Sequence, residues 1–206
     1  SSELVAEYYN QPLVRKEELF LRYFLSDGAA ALVLKAGQGD KAGLCVDYNY
    51  IESAGGHKPS AMGNRRPAYF MNPKEEFERG YHHLAQMFQE ELRASFHEPD
   101  GSVFYHGLQR MLTQYPIDLK NVKYFQVNFP SKHISELVMD ECAGLGIPRD
   151  RLWSPMSSMG YIGPPMALLS LHKILKEEQL GPGDIVLSFV TEVSKFMQAG
   201  YVMRWG

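Results

Sequence analysis

The order of apolar segments between residue 123 and the C-terminus constrains the fold of this chain more than any other feature. Hydrophobic periodicity and turn residues predict a strand at 123–129, a helix at 131–145, a helix at 165–179, and strands at 184–191 and 201–205. Strands that alternate with helices imply β-α-β crossovers, which place parallel strands side by side in a mixed sheet. The sequence therefore predicts an α/β fold.

The upstream residues extend this arrangement. They predict strands at 29–34 and 44–51 and helices at 72–94 and 102–114. Ala29–Leu34 is apolar at every position, which is typical of a strand covered on both faces. Residues 53–66 are rich in Gly, Pro and Ser and predict a mobile loop.

Composition excludes several classes of function. The net charge is -3, from 21 basic and 24 acidic residues, so nothing indicates nucleic-acid or membrane-surface binding through a basic face. The two cysteines, Cys45 and Cys142, lie far apart and form no metal-type pair; we interpret both as reduced core thiols of a cytoplasmic protein. No apolar run approaches the roughly 20 residues that span a bilayer. We therefore expect a soluble protein without a metal site.

Four stretches carry a resemblance to a known family. They are Phe24–Leu34, Tyr69–Phe77, the Phe129-Pro-Ser131 junction, and the segment from Gly181-Pro-Gly-Asp to Arg204-Trp205. In this order and near this spacing they resemble ketosynthase III (3-oxoacyl-acyl-carrier-protein synthase III), a condensing enzyme. The resemblance implies a thiolase-like fold, layered α-β-α with a mixed sheet. Residues 1–38 would end its N-terminal half and residues 39–206 would form its C-terminal half.

The family's chemistry needs a nucleophilic cysteine, a histidine, an asparagine and a Gly-rich loop that supports an oxyanion. An ungapped match places Ser131 at the histidine position, Tyr161 at the asparagine position and Val193-Ser194-Lys195 at the glycine loop. Neither cysteine matches the nucleophile. The resemblance thus implies that the nucleophile belongs to a preceding N-terminal half, and Ser1 is expected to begin a fragment or one product of a split polypeptide.

The residues that replace the family's groups are the candidate catalytic residues. Ser131 and His133 lie at a helix N-terminus that favours an anion, although Ser131 could simply cap the helix and His133 face solvent. Tyr161 could donate a hydrogen bond to a thioester carbonyl, or its ring could plug the pocket. Glu192, at the end of a buried strand, could act as a base or pair with Lys195.

Partners follow from the same resemblance. Lys58, Arg65 and Arg66 could steer the phosphate of phosphopantetheine or coenzyme A, or be solvated surface. The resemblance implies acyl-thioester substrates on acyl carrier protein or coenzyme A, no separate cofactor, a complementary N-terminal half and a dimer. One interpretation is an acyltransferase of the ketosynthase III type. The alternative is a non-catalytic ketosynthase-like partner that shapes the pocket and the dimer.

Overall fold

The computed structural model describes residues 26–37, 43–58, 74, 96–129, 132–192 and 195–206, with only the backbone of His133. The strands are β1 (Leu44–Ser53), β2 (His97–Glu98), β3 (Gly101–Ser102), β4 (Val122–Gln126), β5 (Leu152–Trp153), β6 (Ile185–Thr191) and β7 (Met197–Trp205). The helices are α1 (Val103–Gln114), α2 (Lys132–Gly144), α3 (Met156–Met159) and α4 (Pro165–Glu177). None of the helices described is long and apolar enough to cross a bilayer.

Among the described residues, the main sheet has five strands in the order β1-β7-β6-β4-β5. β4 is parallel to both β5 and β6, whereas β7 is antiparallel to β6 and to β1. Neighbouring residues of a strand point to opposite faces, so Leu187 packs with α1 and α2 on one face while Val186 packs with α4 on the other. The predicted mixed sheet between helical layers is confirmed.

Local sequence explains the helix boundaries. The Ser102 hydroxyl caps α1 by accepting from the Tyr105 amide at 3.0 Å, and it donates to Glu141 of α2 at 2.5 Å. Phe104, Leu108 and Met111 form the buried face of α1 at helical spacing. The helices predicted at 102–114, 131–145 and 165–179 therefore agree with α1, α2 and α4 within two residues at each end. The helix predicted at 72–94 lies outside the described residues, apart from Lys74, which is helical.

β7 begins four residues earlier than the predicted strand at 201–205. Its first half contains Gln198, a fully buried amide that donates to the carbonyl of Val103 and to the Thr191 hydroxyl. It also contains Gly200, where an added Cβ would lie 2.7 Å from the Met111 sulfur. Because Gln198 and Gly200 are not apolar, the hydrophobic pattern does not indicate a strand here. The burial of this half of the strand depends on its contacts with α1.

The prediction of a covered strand at Ala29–Leu34 differs from the structure. The segment is assigned to no strand, and Leu32, Val33 and Leu34 are 47%, 92% and 70% exposed. An apolar strand persists only with neighbours that pair its backbone and cover its side chains, and the described residues supply none here. The boundary predicted at residues 38 and 39 remains a prediction, because residues 38–42 lie outside the description.

Glu178 connects the end of α4 to the sheet. This contact can be tested at alkaline pH, because the Glu178 carboxylate affects the ionisation of a tyrosine. Its two oxygens accept from the Tyr124 phenol at 3.0 Å and the Trp153 indole at 3.3 Å. Burial, followed by Glu178, raises the pKa of Tyr124 to about 12. An unfolded tyrosine ionises at about pH 10. The stability that the protonated Tyr124 phenol contributes is therefore complete below that pH and is lost as the pH rises through about 12.

We expect a spectrophotometric titration of wild type minus Tyr124→Phe to isolate one phenol that ionises near pH 12. Glu178→Gln should lower that midpoint, since the glutamine carries no charge opposing the phenolate. A difference curve centred near about pH 10, the ordinary tyrosine value, would contradict the contact.

Candidate functional site

Four segments meet where the parallel strands β4 and β6 reach their carboxyl ends. Residues 127–129 follow β4, and a hairpin that includes Glu192, Lys195 and Phe196 joins β6 to β7. The loop at 160–163 contacts residues 26–28 beside them. In open α/β sheets ligands bind beyond the carboxyl ends of the strands, so this edge is the candidate site.

The backbone around Tyr161 is held from two sides. The Ser26 amide donates to the Tyr161 carbonyl at 2.8 Å, and Gly28 lies close enough to Ile162 that an added Cβ would be 2.9 Å from its Cδ1. From β4, the Asn128 amide nitrogen donates to the Gly163 carbonyl at 3.2 Å. The position of Tyr161 is therefore fixed by both neighbouring segments.

Gly160 is required by the backbone that precedes Tyr161. It has φ 70° and ψ -173°, a region that is essentially restricted to glycine. An added Cβ would also clash with the Ser26 hydroxyl. We expect Gly160→Ala to lower the free energy of unfolding by about 1–3 kcal/mol, the usual cost of such a conformation.

Urea unfolding measures this loss, and Gly144→Ala is the matched control. Gly144 ends α2 and an added Cβ there meets nothing within 4 Å, so alanine should be neutral or stabilising. Equal effects at the two glycines would show that the 160–163 loop does not need its special backbone.

Tyr161 and Glu192 lie within electrostatic reach of each other. Burial raises the pKa of the Tyr161 phenol, and the negative charge of Glu192 raises it further. A tyrosine phenol is protonated at neutral pH in any case, and the raised pKa keeps it a hydrogen-bond donor under more alkaline conditions as well. A protonated donor beside a carboxylate, at a strand end, is the chemical core of the candidate site.

The Glu192 carboxylate is oriented by its own hairpin. Its Oε2 accepts from the Lys195 amide at 3.1 Å, and its backbone amide donates to the Met197 carbonyl at 2.7 Å. The Lys195 main chain therefore binds Glu192, while the Lys195 ammonium donates to the Lys58 carbonyl. An ion pair between the Glu192 and Lys195 side chains stays a prediction.

Lys58 lies against this hairpin. Its ammonium pairs with Glu98 at 2.9 Å and lies 5.8 Å from the centre of the Phe196 ring, and its side chain is 10% exposed. Arg65 and Arg66 lie outside the described residues. Steering of a phosphate by these three cations therefore stays a prediction.

Two predicted residues are only partly described. Ser131 lies outside the described residues, and His133 is described only by its backbone, in the first turn of α2. Their catalytic roles stay predictions. The residue that sequence reasoning missed is Asn128. Its signal was a polar side chain directly after an apolar strand, at the edge where sites form.

The environment of Cys142 does not favour a nucleophile. Cys142 is buried, and burial followed by the charge of Glu141 raises the pKa of its thiol to about 12. Cys45 is exposed on β1, so the prediction that it is a core thiol is wrong; within the described part of the chain, β1 is an edge strand of the sheet. Across the described part of the chain, no group of three or more His, Cys, Asp or Glu could hold a metal ion.

Comparisons with solved structures identify the fold. The 3-oxoacyl-(acyl carrier protein) synthase III of Pseudomonas aeruginosa superposes with a TM-score of 0.65 at 16% identity, covering 90% of this chain and 52% of its own. The tetronic acid condensing enzyme AbyA1 gives 0.58 at 15% identity, covering 78% and 45%. The synthase III of Aquifex aeolicus gives 0.55 at 12% identity, covering 82% and 46%.

Sequence comparisons add nothing to this, since no family model and no curated protein matches the chain. The chain spans about half the length of the structures that it resembles. The predicted resemblance is confirmed at the level of the fold: this chain has the thiolase-like fold of the synthase III condensing enzymes.

Proposed function

We propose that this chain is part of a ketosynthase III-like condensing enzyme that acts on acyl thioesters of acyl carrier protein or coenzyme A. The observation that supports this most is the protonated phenol of Tyr161 beside the Glu192 carboxylate, at the strand ends of a thiolase-like sheet. Acyl transfer through a thioester develops negative charge on the carbonyl oxygen, and a fixed donor stabilises that charge.

The first step is transfer of the acyl group to a cysteine of the complementary N-terminal half. The cysteine thiolate attacks the thioester carbonyl, a new carbon–sulfur bond forms, and the old one breaks. The proton from the cysteine ends on the released carrier thiol. Tyr161 donates a hydrogen bond to the carbonyl oxygen during this step or to the enolate of the later condensation, and Glu192 takes up or returns the proton.

The N-terminal end of α2 completes the proposed site. The first turn of α2, which contains His133, follows the carboxyl end of β4, and its helix amides favour an anion. Ser131 and His133 are proposed to act there. Of the three predicted cations, Arg65 and Arg66 are proposed to guide the carrier's phosphate. No separate cofactor is needed, because the thioester supplies the activated carbon.

The complementary half is also the proposed partner of the exposed apolar segment. Ser26 and Gly28 are held at the site loop, whereas Leu32, Val33 and Leu34 project into solvent. A neighbouring strand from the N-terminal half would pair this backbone and cover these side chains. We propose that the completed enzyme is a dimer, and that it works in the cytoplasm, where its free thiols stay reduced.

The test is acylation of the complete enzyme, containing this chain and its complementary half. After incubation with acyl-coenzyme A of short, medium or long chain, we expect intact mass spectrometry to show one added acyl group. Peptide mapping should place it on a cysteine of the complementary half, and prior alkylation with iodoacetamide should prevent it. Absence of an adduct with every chain length would rule out this enzyme.

A second candidate function is a non-catalytic ketosynthase-like partner. It is favoured by a hydrogen bond within the site and by the half-buried Tyr161, since the Glu192 carboxylate already accepts from the Lys195 amide. A ring that fills the substrate space would block chemistry while preserving the pocket wall. Under this proposal, His133→Ala and Glu192→Ala leave the turnover of the assembly unchanged, whereas a large rate loss from either change excludes it.

A further inference from the structure

We propose that Lys58 is a positioning residue, which clamps the β6–β7 hairpin so that Glu192 stays beside Tyr161. This inference rests on the proposed function of that site, because it concerns how its two groups are held together. It differs from the predicted role of Lys58 as a phosphate-binding cation, since here the lysine acts on the protein itself.

The first support is the set of contacts between the hairpin and the segment that carries Lys58. The Ala54 amide donates to the Phe196 carbonyl at 2.9 Å, and the Lys195 ammonium donates to the Lys58 carbonyl. Gly55 is buried directly against the Lys195 carbonyl, where an added Cβ would clash. The hairpin position therefore depends on residues 54–58.

The second support is the conformation of Phe196. It has φ 56°, in the left-handed region that disfavours a bulky side chain, yet its ring is fully buried. Such a conformation persists only where surrounding contacts fix it. The Lys58 ammonium is one of these contacts, because it lies 5.8 Å from the ring centre, within the range of a cation–π interaction.

The third support is the anchor of Lys58 itself. Its ammonium pairs with Glu98 at 2.9 Å, and Glu98 is in β2, whose partner β3 leads directly into α1. The clamp is thus tied to the helical layer. Because the Lys195 amide orients the Glu192 carboxylate, movement of the hairpin would move this carboxylate as well.

The test follows the ionisation of Tyr161 by NMR, with tyrosine labelled at the ring carbon that bears the hydroxyl. The assignment comes from the signal that Tyr161→Phe removes. In Glu192→Gln the Tyr161 pKa should fall, because the carboxylate raises it in the wild type. Lys58→Met keeps the length and much of the packing of the side chain but removes its charge.

The sign of the shift separates two explanations. If Lys58 acts by holding Glu192 in place, Lys58→Met lowers the Tyr161 pKa, and Lys58→Met with Glu192→Gln lowers it no further than Glu192→Gln alone. If Lys58 acts only through its own positive charge, its loss raises the pKa, because a nearby cation favours the phenolate. Lys58→Arg should restore the wild-type value, since the guanidinium can pair with Glu98 and stack on Phe196.

Lys173→Ala is the matched control, because it removes another part-buried ammonium, one that binds Ser158 and Glu177. It should leave Tyr161 unchanged. Glu98→Gln is the second variant should Lys58→Met fail to fold, and it should shift the Tyr161 pKa in the same downward direction. An unchanged or raised Tyr161 pKa in Lys58→Met, or in Glu98→Gln when that variant replaces it, overturns the inference.

The titration needs no substrate, so its outcome is separate from that of the acylation test. A downward shift without an acyl adduct would leave the clamp in place and remove the proposed function. An adduct without the shift would remove only the clamp.

Discussion

Tyr161→Phe is expected to reduce kcat of the complete enzyme by about 10²–10³-fold, the usual cost of removing one donor to a developing oxyanion. Phenylalanine keeps the ring and its packing but has no hydroxyl. Because the lost hydrogen bond is strongest in the transition state, kcat should fall while KM changes little. Steady-state kinetics with the acyl thioester that gives the adduct would measure both parameters.

Tyr48→Phe is the matched control for this change. Tyr48 lies on β1, on the α1 side of the sheet, and its hydroxyl donates to Gln114 at 2.9 Å. Its loss should leave kcat unchanged. If Tyr161→Phe is fully active, the phenol has no chemical role. A faster Tyr161→Ala variant would then indicate that the ring fills substrate space.

Phe104→Ala is expected to give the largest loss of stability, about 3–5 kcal/mol in the free energy of unfolding. The ring is fully buried, with its centre 5.1 Å from that of Phe129 and 5.2 Å from that of Phe189. Alanine removes the transfer energy of the ring and leaves a cavity between α1 and the sheet. Such a loss is a large part of the total stability of most domains.

Chemical denaturation measures this loss, and Gln109→Ala is its control. Gln109 lies exposed on the same helix, so its truncation should change stability by no more than about 0.5 kcal/mol. If Phe104→Ala cost less than Gln109→Ala, the aromatic cluster could not be the centre of the core.

Periodicity was sufficient to predict the elements that bury one continuous apolar face. α4 was recognised because Ile174 belongs to its apolar stripe, and β6 because Leu187 lies in a continuous apolar run, whereas the end of α1 was indicated by Tyr115-Pro116. The start of β7 was missed, because Gln198 is buried only by the hydrogen bonds that Val103 and Thr191 offer it. Burial of a polar residue depends on distant partners, which local sequence does not contain.

The candidate site shows the same division. Tyr161 was predicted from a family pattern and Glu192 from its position at a strand end, and in the structure the charge of Glu192 acts on the Tyr161 phenol. The contact of Lys58 with Glu98 and Phe196 had no local signal, since these residues come from three separate segments. Asn128 was overlooked because it binds the main-chain carbonyl of Gly163. Every residue has such a carbonyl, so the sequence does not identify this partner.

The pairing of β1 with β7 has a consequence for the order of events during synthesis. The two strands are separated by about 150 residues of chain, yet they lie side by side from Leu44 opposite Trp205 to Ser53 opposite Met197. At about 5–20 residues per second, the ribosome completes β7 on the order of ten seconds after β1 emerges. During that interval β1 has no β7 with which to pair. A chaperone that covers exposed strand edges during synthesis should therefore improve the yield of native protein more than one that acts after release.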